Sequence, residues 1–221
     1  MPEFIAPPCY AQITIIFEDE HLFIINKPSG LLSLSGKNPA NLDSVHYRLV
    51  QDYPSCTLVH RLDFGTSGIL LVAKNKLING QLTKQFQDGL VTKTYTAILL
   101  GKLTSQQGDI HFPIAKDKNN FPYMKICFET GKAAHSHYRV IESLMHNGMP
   151  TTKVIFTPIT GRTHQLRIHS QQINHPIIGC DLYTQAGSHA LASRLMLHAT
   201  SLSFIHPVTK QKMDITCPSP F

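Results

Sequence analysis

The 221-residue chain has no tryptophan, and its 14 Asp and Glu residues are few for its length. Charged residues make up 15% of the chain, against about 25% in an ordinary soluble domain. The 20 Lys and Arg residues are therefore not abundant, and the formal net charge of +6 comes from a shortage of acids. A surplus of that size suits a polyanionic partner, yet no run of like charge forms a basic tail. Long apolar runs are missing too. The longest uninterrupted aliphatic run is residues 69–73, too short to span a bilayer. The opening residues MPEFIAPPCY contain no basic stretch leading into an apolar one, so no secretory leader is expected and a cytoplasmic location is.

Cysteine is sparse in a telling way. Cys9, Cys56, Cys127, Cys180 and Cys217 are odd in number, widely spread, and contain no C-x-x-C pair. Neither a disulfide framework nor a cysteine-rich zinc site is expected, and reduced thiols fit a cytosolic compartment. What the chain does have is 42% hydrophobic residues, enough for a real core, and an unusual 13 histidines.

Internal repeats and low-complexity segments are absent. Residues 13–18 and 21–26 are β-branched and aromatic runs split by Asp19-Glu20, the pattern of a hairpin. Residues 43–52 read as a short helix capped by Asp43 or Ser44. Residues 58–63 read as extended, followed by a buried strand at 69–73. Ile78, Leu82 and Phe86 recur four apart, which predicts an amphipathic helix over 77–89. Further strands are predicted at 92–100, 110–114, 123–129, 135–143, 153–158, 199–205 and 213–217, and a helix over 163–173. The expected fold class is α+β: a large mixed, mainly antiparallel sheet flanked by helices, around a central active-site cleft. Residues 1–12 read as an N-terminal extension and 13–221 as a single domain.

Several chemical signatures fail on inspection. Gly30 and Gly36-Lys37-Asn38 resemble a phosphate-binding loop, but the spacing is too long and Asn38 stands where a hydroxyl would meet magnesium. Ser67 in Gly65-Thr66-Ser67-Gly68 does not sit in a nucleophile elbow. His135-x-His137 on a strand would point two imidazoles to one side, but two ligands need a third; no metal site is expected. Three stretches carry more. In His60-Arg61-Leu62-Asp63, extended backbone would put Arg61 and Asp63 on one face and turn Leu62 into the core. A carboxylate beside a guanidinium stays ionised, as a nucleophile or base must, although structural Arg–Asp pairs are common. Gly161 before a helix leaves Arg162 at an entrance suited to an anion. There His164, Arg167 and Gln171 would line one polar face, with Leu166, Ile168 and Ile173 packed inward. Lys93 and Tyr95 share a strand face, where a tyrosine ring can stack on a base or simply pack.

These stretches, with others in the same order, resemble the RluA family of RNA pseudouridine synthases. The matching segments are NKPSGLLS, DYPSCTLVHRLDFGTSGILLVAKN, VTKTYTAILLGKL, ETGKAAHSHYRV, PITGRTHQLRIHSQQINHPIIG and RLMLHATSLSFIHP. They cover the chain from about residue 13 onward. The chain has no room for the S4-type RNA-binding domain of many relatives. QDYPSCTLVHRLD and ETGKAAHSHYRV are most similar to members that modify both 23S rRNA and the tRNA anticodon stem-loop. One departure stands out: where the family usually has Asp after the glycine of HPI-x-G, this chain has Cys180, followed by Asp181.

The resemblance implies an isomerase that breaks the N1–C1′ bond of a uridine, rotates the uracil and joins its C5 to C1′. No atom is gained or lost and no redox change occurs, so no cofactor or metal is implied. It places the catalytic carboxylate at Asp63, which either attacks C1′ or removes a proton from C2′. Arg162 would pair with Asp63, and Tyr95 would stack on the uracil after the base leaves its stack. Arg61 would fill the gap left behind or hold the flipped nucleotide's phosphates, with His60, His164 and Arg167 as further RNA contacts. The partners implied are a tRNA anticodon stem-loop and a 23S rRNA stem-loop, read through loop shape and splayed bases by a monomer with no membrane contact. Two other classes weigh less. A non-catalytic RNA binder would need no carboxylate facing phosphates, and a histidine-based metal hydrolase would need a ligand cluster that the spacing does not supply.

Overall fold

The computed structural model describes residues 4–185 and 187–221. In chain order the strands are β1 (Thr14–Glu18), β2 (Leu22–Lys27), β3 (Thr57–Leu58), β4 (Ser67–Ala73), β5 (Thr92–Leu100) and β6 (Gln107–Ile110). They continue as β7 (Ile114–Lys116), β8 (Met124–Ile126), β9 (Ser136–His146), β10 (Met149–Pro158), β11 (Leu197–Ile205) and β12 (Lys212–Thr216). The helices are α1 (Val45–Leu49), α2 (Lys76–Gln87) and α3 (Gln165–Gln172). The chain forms two compact units: the segment up to Thr92 with His198–Pro220, and Lys93–Leu197 with Phe221.

The first unit is organised on β2 and β4, which pair antiparallel from Leu22 opposite Ala73 to Lys27 opposite Gly68. Leu22–Ile25 and all of β4 are buried. Covered on both faces, these strands carry unbroken apolar runs rather than alternating ones. β1 closes one edge antiparallel to β2 with a bulge between Ile15 and Phe17, and its residues are mostly exposed. β3 pairs with β4, and β12 with β11, both antiparallel. β11 meets β4 in a short parallel register, His198 opposite Ser67 and Ala199 opposite Gly68.

The β1–β2 turn is built by Asp19, whose Oδ1 accepts the amide N–H groups of His21 and Leu22 at 2.7 and 2.9 Å. Its other oxygen is 2.9 Å from Nε2 of the buried His206, whose Nδ1 accepts from the amides of Val208 and Thr209. One carboxylate thus joins the hairpin to the turn after β11. Ser44 caps α1 by accepting from the Tyr47 amide, and Asn75 caps α2 by accepting from Ile78. Ile78 and Leu82 of α2 are buried, and Phe86, on the same face, stacks on His60 with ring centroids 4.9 Å apart.

In the second unit β5, β10, β9 and β6 pair antiparallel in that order, while β7 and β8 form a separate ribbon. The core gathers Ala97, Leu99, Val154, Phe156 and Ile177 around Leu166 and Ile168 of α3. The mixed, mainly antiparallel organisation expected from the sequence is present in the described residues. Several boundaries differ: β8 is shorter than the expected 123–129, β9 runs on to His146 and β10 begins already at Met149. The strand expected at 110–114 is divided between β6 and β7, because Pro113 lies between them and offers no N–H to a ladder. β6 itself begins in Gln107-Gly108-Asp109, a stretch with no apolar alternation to announce it.

Gly68 has φ +109°, and a Cβ there would lie 2.3 Å from the carbonyl oxygen of Ala199. Gly68→Ala should lower unfolding stability by about 2–4 kcal/mol through backbone clash and strain. Gly80, inside α2 with open space around it, should instead gain about 0.5–1 kcal/mol as alanine. Urea titration separates the two. A second test concerns acid. Burial pushes the Asp19 carboxyl up, but the His21 and Leu22 amides and the His206 ring outweigh it and hold it below its ordinary value. The stability it contributes is complete above about pH 4 and disappears as pH falls through the lowered value. Asp19→Asn should therefore be less stable than the parent at pH ~6 and match it at pH ~2, measured by denaturant midpoints at both.

Candidate active site

The His60–Asp63 segment is fixed by the loop that follows β2. Lys27 is fully buried, and its ammonium donates to the carbonyls of Pro28, Leu31 and Phe64 at 2.8, 2.6 and 3.2 Å. The Ser29 hydroxyl donates to the Gly65 carbonyl at 2.7 Å, and the Gly30 amide donates to Phe64 at 3.0 Å. Ser33 Oγ donates to the Leu62 carbonyl at 2.7 Å and accepts the Leu62 amide at 3.1 Å. NKPSGLLS is thereby the cradle of HRLDFG. Asp63 ends up half-buried between two clamped peptides, with Leu62 buried and Arg61 exposed; of the segment expected to be extended over 58–63, only Leu58 lies in a strand, and Val59 and His60 bend. The Asp63 carbonyl accepts from the Thr66 amide at 3.1 Å, closing the turn into β4. Ser67 then bonds Nδ1 of the buried His198 at 2.8 Å, and His198 Nε2 lies 3.1 Å from the Cys217 carbonyl. His60 Nε2 accepts the Leu71 amide at 3.2 Å while its ring stacks on Phe86.

The second unit holds Tyr95, Arg162, His164 and Arg167. Tyr95 is half-buried on β5 opposite Phe156. On the same strand face, burial lowers the pKa of Lys93, and its Nζ would lie 3.3 Å from a Cβ on Gly161. Absence of a side chain at 161 lets that ammonium approach the backbone just before Arg162. Arg162 is exposed, and its Nε donates to the Ala133 carbonyl at 3.0 Å.

The entrance to α3 has no ordinary side-chain cap. His164 takes the left-handed conformation at φ 55°, which tightens the turn after Arg162. Gln165, 4% exposed, does the capping work instead. Its Oε1 accepts the Arg162 amide at 3.0 Å and the Thr160 hydroxyl at 2.7 Å. Its Nε2 donates to the His135 carbonyl at 3.0 Å and Ser136 Oγ at 2.9 Å. Sequence reasoning passed over Gln165, although it lies in the GRTHQLRIH block.

The polar face expected on α3 needs correction. Gln165 to Ser170 are all buried, and the Arg167 side chain is only 4% exposed. Its guanidinium is paired with the Asp181 carboxylate, donates from Nε to Cys180 Sγ at 3.4 Å, and lies over the Tyr183 ring. Arg167 therefore anchors the loop after HPIIG and does not face solvent as an RNA contact. Cys180 is fully buried and also accepts the Tyr183 amide at 3.5 Å; the carboxylate that meets Arg167 belongs to the next residue, Asp181. His164 Nδ1 is 2.9 Å from the Tyr183 hydroxyl. A further correction concerns His135 and His137, which were expected to lack a third ligand: Asp109 and His111 stand beside them.

A sequence profile of the family described as RNA pseudouridylate synthase matches residues 21–172. The chain belongs to that family, in its RluA branch, and is an isomerase acting on RNA. It is 47% identical over 210 residues to the dual-specificity RNA pseudouridine synthase RluA of Haemophilus ducreyi, covering 94% of this chain and 93% of the relative. Against the protein of the same name in Escherichia coli K12 the identity is 40% over 215 residues, 97% of each chain. Among solved structures, human RNA pseudouridylate synthase domain containing 1 is similar at a TM-score of 0.81 and 28% identity, covering 100% of this chain and 87% of its own.

Gln165→Leu keeps the side chain's bulk but strips four hydrogen bonds, leaving the Ser136 hydroxyl, the His135 carbonyl and the Arg162 amide to find new partners. The expected loss is about 2–3 kcal/mol, read as a lower urea midpoint with an unchanged slope.

Proposed function

We propose that this chain converts specific uridines to pseudouridine in both 23S rRNA and the tRNA anticodon stem-loop, with Asp63 as the catalytic carboxylate. The observation that supports this reading best is the clamp on the HRLD segment. Lys27, Ser29, Gly30 and Ser33 reach the carbonyls of Leu62, Phe64 and Gly65, so the backbone on both sides of Asp63 is immobilised. A carboxylate that must meet one face of a flipped ribose needs such a backbone, because a misplacement of about 1 Å costs orders of magnitude in rate. Dual substrate range is supported by relatives named for dual specificity that match nearly end to end.

In this scheme the uracil leaves C1′ as a delocalised anion and is recaptured through C5, whose proton then departs. One carboxylate suffices, unlike the pair common in glycoside hydrolysis. Attack on C1′ and proton removal from C2′ are both routes open to the Asp63 carboxylate, with Arg162 as a further catalytic residue. Tyr95 stacks on the uracil once it has left the helix. Arg61, exposed and two residues before Asp63, fills the vacated stack or holds the flipped nucleotide's phosphates, with His60 and His164 as further RNA contacts. Residues 13–221 act as one catalytic domain, as a monomer in the cytoplasm, and the chemistry calls for no cofactor. Phosphate contacts from a few Lys and Arg make binding salt-sensitive.

Carbodiimide labelling and primer extension on unmodified tRNA transcripts and 23S rRNA fragments should reveal pseudouridine stops with the parent protein in both RNAs. Asp63→Asn should lower turnover by at least ~10³-fold while RNA affinity, measured by filter binding, stays within a few-fold. Equal loss of binding with an intact fold would move Asp63 from chemistry to recognition.

A further inference from the structure

A second cluster of side chains, independent of the synthase reading, carries a ligand set. β6 and β9 pair with Asp109 opposite His137 and Ile110 opposite Ser136. One step beyond the ladder, the rings of His111 and His135 stack with centroids 3.9 Å apart. Alternate residues of a strand share a face. Asp109 and His111 from one segment therefore stand on the same side as His135 and His137 from the other. Asp109 Oδ1 lies 2.7 Å from His135 Nε2 and 3.2 Å from His137 Nδ1. One ligand atom from each of Asp109, His111 and His135 falls within 4.8 Å of the others. Donors bound to an ion at about 2.0–2.2 Å in tetrahedral geometry sit some 3.3–3.6 Å apart, so an ion would replace the 2.7 Å Asp109–His135 hydrogen bond, opening that pair slightly while the third donor, within 4.8 Å, closes on it.

The backbone under the cluster is held firmly. The His135 amide donates to Thr160 Oγ1 at 2.9 Å, and its carbonyl accepts from the Ile159 amide and from Gln165 Nε2, each at 3.0 Å. Ser136, the intervening residue on the opposite face, bonds both Gln165 and the buried His169. The side chains above this base are half-buried or exposed, open to an ion from solvent. We propose that Asp109, His111 and His135 bind a borderline divalent transition-metal ion of the zinc class. Two imidazoles and one carboxylate favour zinc, nickel or copper over magnesium and calcium, which prefer all-oxygen shells. Three protein ligands leave room for water on the ion.

The test is equilibrium dialysis of the full chain, free of any purification tag, against Zn²⁺. One equivalent should bind with micromolar or tighter affinity. His111→Ala and His135→Ala should each weaken it at least about tenfold, whereas His189→Ala, at an exposed histidine elsewhere, should leave it unchanged. Because a variant could perturb the sheet, the parent's histidine ring resonances provide a second reading: His111 and His135 should shift with Zn²⁺ while His189 does not. No stoichiometric binding, equal binding in both histidine variants, or displacement by excess Mg²⁺ would each overturn the proposal.

Discussion

The ammonium of Lys27 is the contact on which the catalytic loop depends. It is a full positive charge out of reach of solvent, and it is solvated by carbonyls of Pro28, Leu31 and Phe64 instead of water. A buried charge is tolerated only with good hydrogen-bond partners, so those carbonyls must converge on one point. Convergence folds the Pro28–Leu31 turn back on itself and draws in Phe64, the residue after Asp63. The serines then act as short struts between the same two loops. Together they oblige residues about thirty to forty apart in the chain to share one geometry.

The same logic, with a neutral side chain, governs the second unit. Gln165 offers an acceptor and a donor pair from one buried amide, and it joins the Thr160–Arg162 turn to the start of β9. Charge in one unit and an amide in the other perform equivalent tasks: each converts a flexible, motif-bearing loop into a rigid mount. Both are costly to bury and inexpensive once fully satisfied.

Legibility in the sequence followed the kind of signal. β2, β4 and β5 were plain because buried strands write themselves as unbroken apolar runs, and α2 because Ile78, Leu82 and Phe86 repeat at helical spacing. β6 was hidden, since Gln107-Gly108-Asp109 has no hydrophobic face. Arg167 was misread because periodicity assumes that a charged residue points outward, and a counter-charge fourteen residues away is invisible to it. The motif residues Asp63, Tyr95 and Arg162 could be picked out from resemblance. Their supports, Ser33 under Leu62 or Thr160 under Gln165, act through pairings that only the folded chain creates. The His135-x-His137 pair was visible as half a cluster; of the other half, Asp109 sits on the strand that no apolar pattern announced and His111 just beyond its end.

The pairing of Arg167 with Asp181 also spans the boundary between interior and solvent. The guanidinium side is 4% exposed and the carboxylate side 57% exposed, so a cation seated among Cys180 and Tyr183 takes its counter-charge from the surface. The loop after α3 is therefore tied to one outward-facing carboxylate, and losing it would leave a buried cation without its counter-charge.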